Sequence, residues 1–160
     1  MGDYEFMGEA LELARQSAAE GEVPVGCVIV RRGEIVGRGR NRREQVRNAL
    51  SHAEIEAIND ACRNLGGWRL WECTMYVTLE PCPMCAGAII NARIPRVVYG
   101  ADDDKTGACG GVCDLFSMKF NHHPRVEKGI REEEAAELMT EFFQNLRATL
   151  HARPKWKKPE

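Results

Sequence analysis

Apolar patterns of two different periods alternate along almost the whole chain, and that alternation most limits the folds open to it. Tyr4 to Glu22 places Phe6, Ala10, Leu13, Ala14 and Ala18 on one helical face that ends at Gly21. "VPVGCVIV" (Val23 to Val30) then reads as a buried strand, and "GEIVGRGR" as its hairpin partner across a tight turn near Arg32-Gly33. "SHAEIEAINDACRNLG" reads as a helix, with Ser51 and Glu54 three positions apart in a capping-box pattern. "TMYVTL" is a strand, "PMCAGAIINA" a helix and "RVVYG" a strand, and "IREEEAAELMTEFFQNLRATL" is a long amphipathic helix. Strands separated by helices predict an α/β fold with helices on both faces of a sheet.

Nothing along the chain breaks this pattern into parts. No internal repeat or linker is visible, so residues 1–160 read as one domain with a basic tail from about residue 151 to 160. No apolar run reaches the ~18–20 residues of a membrane span, and the start lacks a signal peptide's basic and apolar regions. Seven cysteines, an odd count without an export signal, read as reduced and cytoplasmic. The formal net charge of −2 argues against a general nucleic-acid binder, but the charge is unevenly spread. Arg31 to Arg47 holds seven arginines against two glutamates, and Arg147 to Glu160 holds five basic residues against one acid. Two basic segments on an acidic body suit either solvated surface or a specific polyanion partner.

"VTLEPCPMCAGAII" contains one Cys-x-x-Cys, Cys82 and Cys85, and the chain has no second pair. Taken alone, the pair suits buried small residues, a redox couple or half of a metal site. Cysteines at i and i+3 on a helix's first turn project from one face, and Pro81 and Pro83 suit a helix starting there. A helix N-terminus also favours the thiolate form that a metal needs. Upstream, His52 sits on the first turn of another helix. One imidazole and two thiolates leave the fourth position of a tetrahedral zinc free for water, which marks a catalytic ion rather than a structural one. Glu54, two residues on and about 200° around the helix from His52, is expected over that water and not as a ligand.

His-x-Glu followed by Pro-Cys-x-x-Cys is the signature of the zinc-dependent base deaminases. Over nearly its whole length the chain resembles one of their families, the bacterial tRNA-specific adenosine deaminases. The resemblance rests on "GEVPVGCVIV", Asn41 in "RNRRE", "HAE", "TMYVTLEPCPMCAGAI", "RVVYGADDDKTGACG" and "FFQNLR". The blocks around His52 and Cys82 are shared with cytidine, deoxycytidylate and guanine deaminases, so they specify chemistry and not substrate.

The resemblance implies a three-layer α/β/α cytidine-deaminase-like fold with a mixed five-stranded sheet, in a homodimer with sites near the interface. It implies one zinc ion per subunit on His52, Cys82 and Cys85, with Glu54 as the catalytic proton carrier. The implied reaction converts wobble adenosine to inosine in the anticodon stem-loop of an arginine tRNA. Asn41 is then expected to bond the flipped base, and Asp103 and Lys105 to meet the RNA backbone. Asn121, His122 and Arg147 are expected as further RNA contacts, together with the Lys155–Lys158 cluster. Three adjacent aspartates beside a phosphate are electrostatically awkward, so at least one must turn away or bond a ribose hydroxyl. Trp68 and Trp71 read as buried anchors, Phe142 and Phe143 as core, and Cys27, Cys109 and Cys113 as small buried residues. A free guanine or nucleoside deaminase would keep the same four zinc-site residues but has less use for the basic segments. A non-catalytic zinc RNA-binding protein has no use for Glu54.

Overall fold

The structure of the chain is a computed structural model that describes residues 1–150. The basic tail, with Trp156 and the Lys155–Lys158 cluster, lies outside the described residues. The elements run α1 (Asp3–Ala19), β1 (Gly26–Arg31), β2 (Glu34–Arg40), α2 (Ala53–Leu65), β3 (Cys73–Leu79), α3 (Pro83–Ala92), β4 (Arg96–Ala101), β5 (Arg125–Lys128) and α4 (Glu132–Leu150). A short 3-10 turn, Leu115–Ser117, lies between β4 and β5.

The five strands form one mixed sheet in the order β2-β1-β3-β4-β5. β1 is antiparallel to both β2 and β3, whereas β3, β4 and β5 run parallel. Successive side chains in a strand point to opposite faces, and both faces of this sheet are covered. Cys27, Ile29, Met75, Val77, Val97 and Tyr99 pack with α2 and α3 on one side. Val28, Val30, Tyr76 and Val98 pack with α1 and α4 on the other. The expected three-layer α/β/α fold and mixed five-stranded sheet are therefore present.

Local chemistry explains the joints. Arg32 and Gly33 both take positive φ, 50° and 79°, as a two-residue hairpin turn requires. Gly37 and Gly39 of β2 lie directly beneath α2. A Cβ at Gly39 would strike the carbonyl of Ala53 and the amide of Ala57, so only glycine allows this close approach.

Several details differ from the sequence expectations. Ser51 caps nothing: the N-cap of α2 is His52, and Glu54 is buried instead of reaching back to the cap. β5 is four residues at the sheet edge, Arg125–Lys128, with only its middle pair partly buried, too little to stand out as a strand pattern. Trp68 and Trp71 are exposed, 52% and 54%, with the Arg69 guanidinium stacked 4.1 Å over the Trp68 ring. Phe142 and Phe143 are not core either, since α4 offers them to grooves on its flanks. Cys27 is buried as expected, but Cys113 is exposed.

Candidate metal centre and active site

Two helices begin at the same end of the sheet. α2 opens after His52 and α3 opens after Cys82, each with that residue as its N-cap in extended backbone. Cys85 follows one turn into α3. The His52 Nδ1 is 3.6 Å from both the Cys82 and the Cys85 sulfur. The three donor atoms all lie within 4.8 Å of one another, and the group could hold a metal ion. One borderline nitrogen and two soft sulfurs form a donor set that suits zinc. Two helix N-termini converging on this point add positive potential that favours thiolates.

The protonation pattern reflects that crowding. The Cys85 thiol and then the His52 ring stabilise the Cys82 thiolate against burial and lower its pKa to about 4. Cys85, facing that thiolate and buried, is pushed far up. His52 is raised, chiefly by its bond to Cys82. Glu54, 4% exposed, is raised to about 7, mainly by burial and further by the Cys82 thiolate, against the His52 charge. A buried carboxyl raised toward neutrality beside a trio that could hold a metal is an acid–base candidate.

His52, Glu54 and Cys82 line a cavity of about 440 Å³. Its rim carries Asn41 and Arg43 on one lip, Asp102 to Thr106 on another, and Ala136, Met139 and Phe143 of α4 as an apolar wall. Asn41 is 7% exposed, its backbone accepts from Ser17 Oγ at 2.8 Å, and its Nδ2 donates to the Val23 carbonyl at 3.2 Å. Its Oδ1 accepts from the Arg43 amide at 3.2 Å, so one N–H and one lone pair remain for a ligand.

The chain has relatives among known deaminases. The profile of the MafB19-like deaminases covers residues 1–147. A tRNA-specific adenosine deaminase of Bacillus subtilis is 45% identical over 146 residues, 91% of either chain. The chain belongs to the tRNA-specific adenosine deaminase family. A solved structure from a study of A-to-I editing by tRNA:A34 deaminases at the wobble position of transfer RNA agrees. It superposes with a TM-score of 0.80 at 46% identity, over 84% of this chain and 98% of that one. A guanine deaminase of Bacillus subtilis is more distant, 31% identical with a TM-score of 0.63, over 99% of both chains.

Within this deaminase the structure sorts the expected site residues. His52, Glu54, Cys82, Asn41, Asp103 and Lys105 line one cavity, and Cys85 is buried beneath it. Asn121, His122 and Arg147 do not line it. Asn121 and Arg147 are exposed, and the His122 Nε2 is 2.7 Å from the Ile94 carbonyl oxygen. Asp103 is turned onto its own loop: Oδ1 accepts from the amides of Lys105 and Thr106, and Oδ2 from the Thr106 hydroxyl at 2.6 Å. Burial raises its pKa, but these bonds outweigh burial and the net shift is downward.

Two buried carboxylates had no place in the sequence expectations. Glu22, 1% exposed, accepts from the Glu44 and Gln45 amides at 2.9 and 3.0 Å. Glu80, 2% exposed, accepts from the amides of Asp103, Cys109 and Gly111. The available signal was an acid set against an apolar strand and a proline, where an unpaired charge is costly.

Proposed function

We propose that this deaminase hydrolyses the wobble adenosine of an arginine tRNA anticodon to inosine. The observation that carries this is the His52-Cys82-Cys85 trio beside buried Glu54, at the base of a cavity whose rim holds Asn41 and Lys105. One zinc ion per subunit is assigned to the trio, where it would act as a Lewis acid and make water nucleophilic near neutral pH.

The protein's own part is proton handling and positioning. Glu54 takes a proton from the attacking water, whose oxygen bonds to C6 of adenine. Glu54 gives that proton to the ring nitrogen, takes the second proton from the new C6 hydroxyl and passes it to the amino group, so the C6–N bond breaks, the C6 carbonyl forms and ammonia leaves. A carboxyl whose pKa lies near 7 is matched to taking and returning a proton at neutral pH. The free N–H and lone pair of Asn41 are assigned to the edge of the flipped base. Lys105 and Arg43 are assigned to phosphates. Asp103, its carboxylate spent on its own turn, shapes the lip and presents its loop's backbone. Asn121, His122 and Arg147, outside the cavity, are assigned to outer parts of the stem-loop.

The substrate choice is supported by identity of 45–46% with tRNA deaminases against 31% with a guanine deaminase. A homodimer is proposed with it, supported by the exposed apolar Val112, Met118 and Phe120. No helix of the described residues is long and apolar enough to cross a membrane. With seven free cysteines and a tRNA substrate, the cytoplasm is the proposed compartment.

The deciding experiment offers an anticodon stem-loop with wobble adenosine beside adenosine, cytidine and guanine at matched concentrations. Inosine is expected in the stem-loop alone. Turnover of free guanine with an untouched stem-loop would keep the zinc chemistry and overturn the substrate.

A further inference from the structure

Glu80 follows β3 directly and is buried, yet among the described residues no basic side chain pairs with it. All its bonds run to backbone amides of one loop: Asp103 N at 3.0 Å to Oε1, and Cys109 N and Gly111 N, both at 2.9 Å, to Oε2. Two main-chain bonds fasten the same segments, from Ala108 N to Pro81 O at 2.8 Å and from Glu80 N to Ala101 O at 2.9 Å. The loop wraps the carboxylate so closely that a Cβ at Gly107 would strike it. On one side of this clasp, Cys82 enters the metal cradle. On the other, the loop carries Asp103, Asp104, Lys105 and Thr106 to the cavity rim.

We propose that Glu80 is a positioning residue: its carboxylate fixes this lip against the metal cradle and so sets the grip on substrate, not the chemistry. The role rests on the deamination proposed above. An ionised carboxylate offers acceptors on both oxygens, which three inward-facing N–H groups require. Glutamine of the same shape replaces one acceptor with a donor and leaves buried N–H groups facing N–H.

The test is Glu80→Gln in the zinc-loaded full chain, read by steady-state kinetics on the anticodon stem-loop, zinc content and amide exchange. The expected result is a KM raised about tenfold or more, with kcat within about threefold of wild type and zinc content unchanged. Exchange should quicken at Asp103, Cys109 and Gly111 and stay unchanged along α1. A fall in kcat at constant KM would assign Glu80 to the chemistry and overturn the proposal. Quicker exchange with unchanged kinetics would overturn it too, leaving a merely structural bond. If the variant does not fold, the wild type decides: those three amides must be protected, and free exchange there sinks the clasp. A wild type that leaves the stem-loop untouched and deaminates a free base would fail the substrate assignment alone. The same KM-against-kcat split, measured on that base, would still judge Glu80.

Discussion

Glu54 gains its properties from burial. Water would hold its carboxyl near the ordinary value, but here desolvation raises it to about 7. Glu54→Gln keeps the shape and loses the proton shuttle, so turnover should fall about 10²- to 10⁴-fold while zinc measured by atomic absorption stays bound. Near-normal turnover would remove Glu54 from the chemistry. The same shift has a stability sign. In the metal-free protein the folded-state pKa lies above the unfolded one, so stability is full below about 4.5 and falls as pH rises toward 7. The loss approaches roughly 3 kcal/mol at full ionisation. Denaturant titrations of metal-free wild type and Glu54→Gln should therefore converge at low pH and separate near neutrality, the variant being the more stable. His52, Glu54, Cys82 and Cys85 can be read from the sequence because metal and proton chemistry accept few residue types. Glu22 and Glu80 cannot, because their partners are backbone amides and leave no mark on the identity of the residues they hold.

Elements carry the site through their contacts. Gly39 lets β2 lie against the first turn of α2, where Ala53 follows His52. Gly39→Ala pushes that turn away; it should cost about 1–3 kcal/mol of stability and weaken zinc at least several-fold against a chelator. Unchanged zinc affinity would mean that the helix start is placed by other contacts. At the sheet's other end, Arg96 of β4 joins Asp3 of α1 and Glu127 of β5, at 2.7 Å to each. Its hydrogen bonds lower the pKa of both acids. Depressed carboxylates stabilise above their unfolded pKa, and that stability is lost as pH falls through the folded value. Arg96→Leu should thus lose more at pH 7 than at pH 3 in thermal melts, about 1–2 kcal/mol at most for so exposed a trio. Equal losses at both pH values would deny the trio any ionic contribution. The strand and helix patterns announce every element but β5, whose four residues at an edge bury too little to show a period.

For the whole molecule, a formal charge of −2 hides an uneven spread, and at the cavity rim Arg43 and Lys105 stand among Asp102, Asp103 and Asp104. With Arg43 and Lys105 meeting phosphates of a single strand, the logarithm of affinity should fall with the logarithm of salt at a slope of about −1.4. Filter binding of the stem-loop across a salt series measures it, and a flat response would move the RNA off this rim. The three-layer arrangement is readable because both faces of the sheet demand cover. The cavity's apolar wall is not, because Met139 and Phe143 share the spacing of any core-facing helix.

The order of the elements along the chain also sets a timetable. His52, Cys82 and Cys85 leave the ribosome long before α4, which ends 65 residues after Cys85 and supplies the cavity's last wall. At ordinary synthesis speed that interval is roughly 3–13 s. For its duration the nascent chain shows an imidazole and two thiols to whatever thiophilic ion is at hand. A metal taken up by this trio would then be chosen during translation or exchanged later through the open cavity.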